Sequence, residues 1–216
     1  MKRLALALLL LAAPAHGETM LNRGNGAEPE SLDPAQAGSA AEINILGDMM
    51  VGLTTLDAAA KPIPGIAERW ETSPDGLTWT FHLRQARWSD GTPVTADNFV
   101  SAWRRLLDPK TGSRAAQTLW VVKNARSISA GTMAVTALGI AAQGAATVKI
   151  TLENPAPYLP ELLSLPAALP LPPAFKPDSY VSDGPYVLKG WQANALDFHR
   201  SRWVTIDQAA RIKQFT

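Results

Sequence analysis

The sequence predicts an α/β protein with mixed sheets, and three local patterns support this fold class. Residues 77–84 alternate between apolar and polar side chains, which is typical of a half-buried strand. The apolar side chains of Phe99, Trp103 and Leu106 then recur at helical spacing and share one face. Residues 147–152 alternate again, so a further strand is expected well after this helix.

The composition limits the classes of protein and of site that the chain can represent. Of the 216 residues, 46% are hydrophobic and 18% are charged, as in ordinary globular proteins. The 20 basic and 19 acidic side chains nearly cancel, so the chain lacks the basic surface by which nucleic-acid-binding proteins hold phosphates. There is no cysteine, which excludes disulfides, zinc–thiolate sites, iron–sulfur clusters and cysteine nucleophiles.

The first 17 residues have the features of a cleavable export signal. Lys2 and Arg3 give a positive start, and the apolar residues 4–13 are too few to span a bilayer. Residues 13–15 fit the A-x-A cleavage pattern, and a buried N-terminal helix is the alternative. Because no cysteine is available for a lipid anchor and no later segment has transmembrane length, we expect a periplasmic protein that does not span the membrane.

The remaining elements are predicted in chain order. Residues 19–23 form a short strand, and a turn region rich in glycine and proline follows at 24–34. Residues 42–53 are expected to form a helix, and a turn with two prolines spans residues 56–64. The predicted helix presents one apolar face made of Ile43, Leu46, Met50 and Leu53.

The central strand and helix have clear boundaries in the sequence. Residues 73–76 (SPDG) form a strong turn before the strand at 77–84. Thr95 is expected to cap the next helix, with Asp97 in its first turn and Pro109 at its end. The later predicted elements are a helix at 113–127, a strand at 147–152, a short helix at 160–165, paired strands at 184–188 and 195–200, and an alternating segment at 210–216.

Signs of catalytic or metal chemistry are weak. His82 and His199 lie on predicted strands, and no cluster of His, Asp and Glu has the spacing of a metal site. The chain contains no G-x-S-x-G elbow and no S-x-x-K, and the G-x-G fragment at 24–26 lacks the rest of a nucleotide loop. We therefore expect no cofactor and no enzyme, with a secreted hydrolase using a serine and one of these histidines as a remote alternative.

The tryptophans and Glu42 are the more informative candidates. Four tryptophans near the predicted strand and helix are assigned to the core: Trp70, Trp79, Trp88 and Trp103. Trp120 and Trp191 lie outside that unit and are better candidates for an aromatic-lined binding cleft. Glu42 begins a predicted helix, where the dipole alone favours a carboxylate; the alternative is a carboxylate that faces a ligand.

Three segments of the chain resemble one protein family. Residues 21–34 read LNRGNGAEPESLDP, and residues 183–191 read DGPYVLKGW. Residues 67–103 contain AERW, SPDGLTWTFHLR and WSDGTPVTADNF. In these segments the chain is similar to the extracytoplasmic solute-binding proteins of ABC transporters, in the oligopeptide, dipeptide and nickel group called family 5. The opening segment is most similar to the oligopeptide branch.

The resemblance implies a fold of the periplasmic-binding-protein type II, incomplete here, with part of lobe I and the small extra domain of the group. It implies a first segment of lobe I at 18–55, the small domain at 56–155 and a return segment of lobe I at 156–216, with the second lobe absent. It also implies a peptide or other small solute as ligand and permease subunits in the inner membrane as partners.

The resemblance also assigns the candidate binding residues. Glu42 matches an acidic position near the peptide site, and residues 113–120 match a region of aromatic contacts. The tyrosines that are usual in that region are replaced by Ala115, Ala116 and Thr118. Glu42 and Trp120 are therefore the predicted ligand-binding residues.

The length of the chain leads to two further expectations. Members of this family are more than twice as long, so we expect a truncated binding component that holds peptides weakly or not at all by itself, because half a cleft cannot bury a ligand. The alternative is a non-functional or split-gene fragment that needs a separate C-terminal half. The solute itself stays open, since peptides, nickel complexes and sugars share this scaffold.

Overall fold

A computed structural model of the chain describes residues 24–177, 180–192 and 195–200. The predicted signal segment 1–17, the predicted strand at 19–23 and the alternating segment at 210–216 lie outside these residues. The helices are α1 (Ala40–Met49), α2 (Ala96–Leu107), α3 (Ala125–Ser129) and α4 (Leu159–Leu162). The strands are β1 (Thr54–Leu56), β2 (Pro62–Pro64), β3 (Ala67–Thr72), β4 (Thr78–Leu83), β5 (Ile140–Ala142), β6 (Thr147–Thr151), β7 (Tyr186–Gln192) and β8 (Ala195–Arg200). Short 3-10 turns occupy Pro109–Thr111, Ala116–Leu119, Val135–Ala137 and Pro166–Ala168.

A four-stranded antiparallel sheet in the order β3-β4-β6-β5 forms the centre of the described chain. The turn between β3 and β4 is held by Ser73 Oγ, which accepts the N–H of Thr78 at 2.9 Å. Gly76 adopts φ +71° in that turn, a conformation that glycine tolerates best. Along β4 the buried side chains are Trp79, Phe81 and Leu83, so the predicted alternation is confirmed.

Helix α2 packs on this sheet, as the sequence predicts. The N–H of Thr95 donates to Asn98 Oδ1 at 2.8 Å, which ties the cap residue to the first turn. Phe99 and Trp103 have no exposed surface, and Leu106 is buried as well. The indole N–H of Trp103 donates to a carbonyl oxygen outside the helix, so even the polar atom of this core residue is satisfied.

Helix α1 is shorter than predicted, and its buried face is different. Ser39 and Glu42 form a capping box that starts the helix at Ala40. The helix ends at Met49, and Met50 is already extended with φ −131° and ψ 155°. The predicted face member Ile43 is 43% exposed. The apolar pattern combined two elements, because the buried Met50 and Leu53 belong to the extended segment after the helix. The buried helix positions are Ala41, Glu42, Ile45, Leu46 and Met49.

The predicted turn at 56–64 is a hairpin, in which β1 and β2 pair antiparallel. Pro62 and Pro64 are both in β2, where a proline is tolerated because the strand is bonded along only part of its backbone. Gly65 donates to Leu53 O and Asp57 donates to Lys61 O, so the odd-numbered residues face β1. The nitrogens of the two prolines therefore point away from β1.

The predicted helix at 113–127 is wrong. Residues Ala116–Leu119 form a 3-10 turn instead, and α3 begins only at Ala125. Val122 between them bridges to Leu152, next to β6, and this pairing of residues distant in sequence overrides the local helical pattern. Asn124 has φ +68°, which no helix interior accommodates.

The end of the described chain is anchored to α1. The predicted short helix at 160–165 is present as α4, and the predicted strand pair is confirmed, with β7 starting at Tyr186. Just before β7, the N–H of Gly184 donates to Met49 O at 2.8 Å. A Cβ at Gly184 would lie 2.5 Å from the carbonyl carbon of Met49, so only glycine allows this approach.

Candidate functional site

Glu42 is a buried carboxylate surrounded by backbone N–H groups. Its Oε1 accepts from Glu30 at 3.1 Å and Ser31 at 3.3 Å, and its Oε2 accepts from Gly38 and Ser39, both at 2.8 Å. Burial opposes ionisation, but these donors outweigh it and lower the pKa of Glu42 to about 2. The carboxylate therefore stays charged at all ordinary pH values.

The role of Glu42 as a ligand contact stays a prediction, and a structural role is visible beside it. Four donors come from both ends of the segment 30–39, which precedes α1. Glu42 thereby closes this segment into a loop and orders the backbone at its two ends. Sequence reasoning identified the residue and the helix start, but not the backbone donors, because their approach depends on the path of the loop.

The same loop is tied to α2 by an ion pair whose carboxylate is buried. Asp33 is 2% exposed, and both of its oxygens accept from the guanidinium of Arg105, with Oδ1 and Nη1 2.9 Å apart. The Arg105 guanidinium carbon also lies 4.9 Å from the centre of the Phe175 ring. Paired in this two-pronged way, the buried carboxylate fixes the loop to the helix. The sequence pattern gave no signal for this pairing over 72 positions.

Trp120 lies in a groove on the surface, at the end of the 3-10 turn Ala116–Leu119. The groove has a volume of about 550 Å³, within the range of small-ligand sites. Trp120 is 36% exposed, and its indole N–H donates to Ser129 Oγ at 3.3 Å. The lining residues are Gln117, Trp120, Val121, Arg126, Glu153, Asn154, Pro155, Ala156 and Tyr158. Glu42 is not among them, so the two predicted site residues are not brought together in this groove.

One side of the groove carries a stacked cation. The guanidinium carbon of Arg126 lies 5.1 Å from the centre of the Trp120 ring, a cation–π distance. Arg126 and Ser129 thus hold the indole of Trp120 in place from two directions. Sequence reasoning missed Arg126, because it belongs to α3, which the sequence predicted as part of a longer helix.

The other side of the groove, which carries an acidic and an aromatic side chain, is formed by the segment after β6. Tyr158 lines this side and is 52% exposed, so its ring is accessible from the groove. Glu153 accepts the N–H of Asn124 at 2.6 Å through Oε1, and so connects the two sides of the groove. Neither residue stood out in the sequence, since pairing between residues 121–124 and 151–153, which are distant in sequence, brings this segment beside α3.

Trp191, the other aromatic candidate, has a different environment. Its indole N–H donates to Glu28 Oε1 at 3.1 Å, and its ring lies 6.5 Å from that of Tyr180. It is half-buried on β7 and does not line the Trp120 groove. Trp191 therefore connects β7 with the opening loop.

The four core tryptophans and the histidines can be placed as well. Trp79, Trp88 and Trp103 are buried, and Trp70 is half-buried against Phe81 at 5.9 Å between ring centres. His82 lies on the polar face of β4, with Nε2 3.3 Å from Glu71 Oε1. The side chain of His199 lies outside what the structure describes. Within the described residues no group of three or more His, Asp and Glu side chains is placed to hold a metal ion.

A second buried carboxyl group lies beside the end of α1. Asp183 is 1% exposed, and its Oδ1 accepts the N–H of Val51 at 3.0 Å. Its Oδ2 has no hydrogen-bond partner among the described residues. Burial raises the pKa of Asp183 to about 7, although the Val51 bond acts in the other direction. The surroundings of Asp183 therefore favour its protonated form far more than water does.

Fold and sequence together define the class of the protein. Residues 61–201 match the family model described as bacterial extracellular solute-binding proteins, family 5 Middle. The chain belongs to this family, and the resemblance stated from the sequence is confirmed.

Individual relatives are peptide-binding proteins. The periplasmic oligopeptide-binding protein OppA of Salmonella typhimurium is 41% identical over 186 residues, which are 81% of this chain and 34% of OppA. The structure of Haemophilus influenzae OppA in complex with RPPGFSPFR matches with a TM-score of 0.77 and 40% identity, over 82% of this chain and 37% of that one. The Escherichia coli murein tripeptide-binding protein MppA gives 0.76 and 39% identity, over 81% and 36%.

The chain matches only part of the length of its relatives, and those relatives share one functional class. The chain spans about a third of the length of the curated relatives it matches, and the solved structures are matched over a similar share, so the periplasmic-binding-protein fold is present in part, as predicted. These relatives are solute-binding proteins rather than enzymes. In the described part of the chain no helix has the length and apolar character needed to cross a bilayer.

Proposed function

We propose that this chain supplies a part of the peptide-binding receptor of an ABC importer, working outside the cytoplasm. The observation that carries the proposal is the match to Haemophilus influenzae OppA in complex with a peptide, at 40% identity over 82% of this chain. The receptor's ligands are oligopeptides, and its partners are the permease subunits of the importer. The function is binding and delivery, with no chemical change to the solute.

Export and domain organisation belong to the same proposal. Residues 1–17 act as the export signal, which agrees with the periplasmic location of the named relatives. Residues 18–55 and 156–216 contribute to lobe I, and residues 56–155 form the small extra domain. Hydrogen bonds between α2 and residues 168 and 171 support close packing of the small domain, 56–155, against the segment 156–216.

Two residues are proposed to form part of the binding surface. Trp120 offers a partly exposed ring held by Ser129 and Arg126, a rigid platform for an apolar group of the peptide. Glu42 acts on the ligand through the loop at 30–39, whose backbone it orders. If both assignments hold, replacing Trp120 or Glu42 lowers peptide affinity by more than any effect on stability explains.

A chimera tests the proposal. Residues 18–216 replace the aligned segment of Salmonella typhimurium OppA, and binding of tri- to pentapeptides is measured by calorimetry. We expect saturable binding, with the peptides recovered intact by mass spectrometry. Unmodified OppA is the positive control, and a Trp120→Ala chimera is expected to bind more weakly while unfolding at the same temperature.

Two outcomes would contradict the proposal. A chimera that unfolds in one cooperative transition but binds no peptide that OppA binds would remove the peptide-binding role. Cleaved peptides would instead favour the hydrolase alternative, and the loss of cleavage in a His82→Ala, His199→Ala double variant would assign it.

A further inference from the structure

We propose that the Trp120 groove is a pocket for a free carboxylate, held by Arg126 beside an apolar group. The inference deepens the proposed function, on which it rests for the source of the ligand. The carboxylate is that of a peptide, on either an acidic side chain or the C-terminus. The test below separates these two sources.

The charge of Arg126 is available to a ligand. Its guanidinium lies over the Trp120 ring at 5.1 Å, and within the described residues no carboxylate lies within ion-pair distance of it. Stacking on an aromatic ring leaves the N–H groups at the edge of the guanidinium plane free to donate. A fork of N–H donors in a fixed plane is the geometry that binds carboxylates with two hydrogen bonds.

The acidic residue of the groove, Glu153, already accepts a hydrogen bond from the protein backbone. Glu153 Oε1 accepts the backbone N–H of Asn124 at 2.6 Å, which holds the carboxylate beside the start of α3. It does not neutralise Arg126, since no ion pair joins the two residues. Among the residues that the structure describes, none donates to its second oxygen, which is therefore suited to accept an amide N–H of the ligand. A ligand with a carboxylate and an amide N–H therefore offers an anion to Arg126 and a hydrogen-bond donor to Glu153.

The rest of the groove is suited to an apolar group. Tyr158 is 52% exposed and Trp120 36%, and Pro155 and Ala156 complete this side. Aromatic rings that are held in place bind flat or apolar groups at little cost in conformational entropy. The volume of about 550 Å³ accommodates one amino-acid residue with its carboxylate.

Small probes test this pocket without requiring the whole peptide site. N-acetyl-phenylalanine and N-acetyl-phenylalanine amide differ in the carboxylate alone, and each is titrated into the full chain. The readout is the NMR shift of the Trp120 indole N–H, assigned with Trp120→Phe. We expect the acid to bind at least tenfold more tightly than the amide, and this preference to disappear in Arg126→Gln. Arg69→Gln, which removes an exposed arginine from β3, is the matched control and keeps the preference.

Peptide probes then identify the source of the carboxylate. An acetylated tripeptide amide with one glutamate reports on side-chain recognition, and its glutamine counterpart with a free C-terminus reports on the terminus. Preference for either one over the neutral glutamine amide, lost in Arg126→Gln, supports the pocket. Equal binding of acid and amide probes, an Arg126→Gln variant that retains the preference, or no saturable shift with any probe overturns it. The peptide-binding function is tested separately by the chimera, so the two can fail independently.

Discussion

At the scale of single residues, Asp183 and Glu42 show how similar groups acquire opposite chemistry from their surroundings. Both carboxyls are buried, at 1% and 2% exposure. Glu42 meets four backbone donors, whereas Asp183 Oδ2 has no hydrogen-bond partner among the described residues. The pKa is therefore lowered in the first case and raised in the second.

The raised pKa of Asp183 predicts a stability that depends on pH. Folding favours the protonated group, so its contribution is fully present below the unfolded pKa of 3.8 and is lost as pH rises through about 7. We expect Asp183→Asn to flatten the dependence of unfolding free energy on pH between 4 and 8. Across that range the unfolding free energy of the unchanged protein should fall by up to about 4 kcal/mol more than that of the variant. Urea unfolding at several pH values measures it, and parallel curves for the two proteins would contradict the assignment.

Glu42 predicts the opposite pH behaviour. Its contribution is present above the unfolded pKa of 4.5 and is lost as pH falls towards about 2. Glu42→Gln keeps the shape but turns an NH₂ group towards backbone donors, and we expect a loss of about 2–4 kcal/mol at pH 7. Glu68→Gln, an exposed change on β3, serves as the control and should leave the unfolding midpoint unchanged. A Glu42→Gln protein as stable as the control would show that the loop does not depend on this carboxylate.

At the scale of elements, the junction between α1 and β7 depends on close backbone contact. The N–H of Gly184 donates to Met49 O, and a Cβ there would lie 2.5 Å from the Met49 backbone. We expect Gly184→Ala to destabilise the chain by about 1–3 kcal/mol, because the backbones must move apart. Gly190→Ala is the matched control, since nothing lies within 4 Å of its added Cβ. Thermal unfolding of both variants measures the difference, and equal midpoints would contradict the expected clash.

Elements that carry their own boundaries could be predicted from the sequence. Strand β4 alternates along its whole length, and α2 has a cap, an apolar face and a proline after its end. The segment 113–127 and the end of α1 could not, because pairing across the chain decides them. The bridge from Val122 to Leu152 and the extended Met50 are examples. Local periodicity does not contain such information.

The residues of the candidate site also divide into those that the local sequence indicates and those that long-range contacts bring into place. Trp120 was identified because it lies outside the predicted strand and helix unit. Arg126 and Tyr158 were missed, because they reach the groove from two segments that meet through long-range pairing, including the Val122–Leu152 bridge. The backbone donors around Glu42 belong to a loop without periodicity. A binding surface built from several loops is thus visible in the sequence only through its most conspicuous side chain.

At the scale of the whole molecule, the buried core runs through all the segments that the resemblance separates. It includes residues from α1, the central sheet, α2 and the segment after α4. Trp103 donates to Ala168 O at 3.1 Å, and Thr54 Oγ1 donates to Pro160 O at 2.6 Å. These bonds join positions more than sixty residues apart in the sequence.

This continuity predicts a single unfolding transition. Far-ultraviolet circular dichroism and tryptophan fluorescence should report the same midpoint in urea, since the sheet and the segment 156–171 lose their shared core together. Trp103→Phe, which removes the bond to Ala168, should lower the midpoint of both signals equally. Two separated transitions would show instead that residues 56–155 unfold as an independent unit.

The hairpin β1–β2 has a consequence for how copies of the chain meet in solution. The nitrogens of Pro62 and Pro64 point away from β1, so the outer edge of β2 lacks two of the donors that an added strand would need. A neighbouring copy cannot extend this small sheet through regular backbone pairing, even though Ile63 between the prolines is 38% exposed. The prolines thus disfavour aggregation through intermolecular strand pairing at a place where an apolar side chain is exposed to solvent.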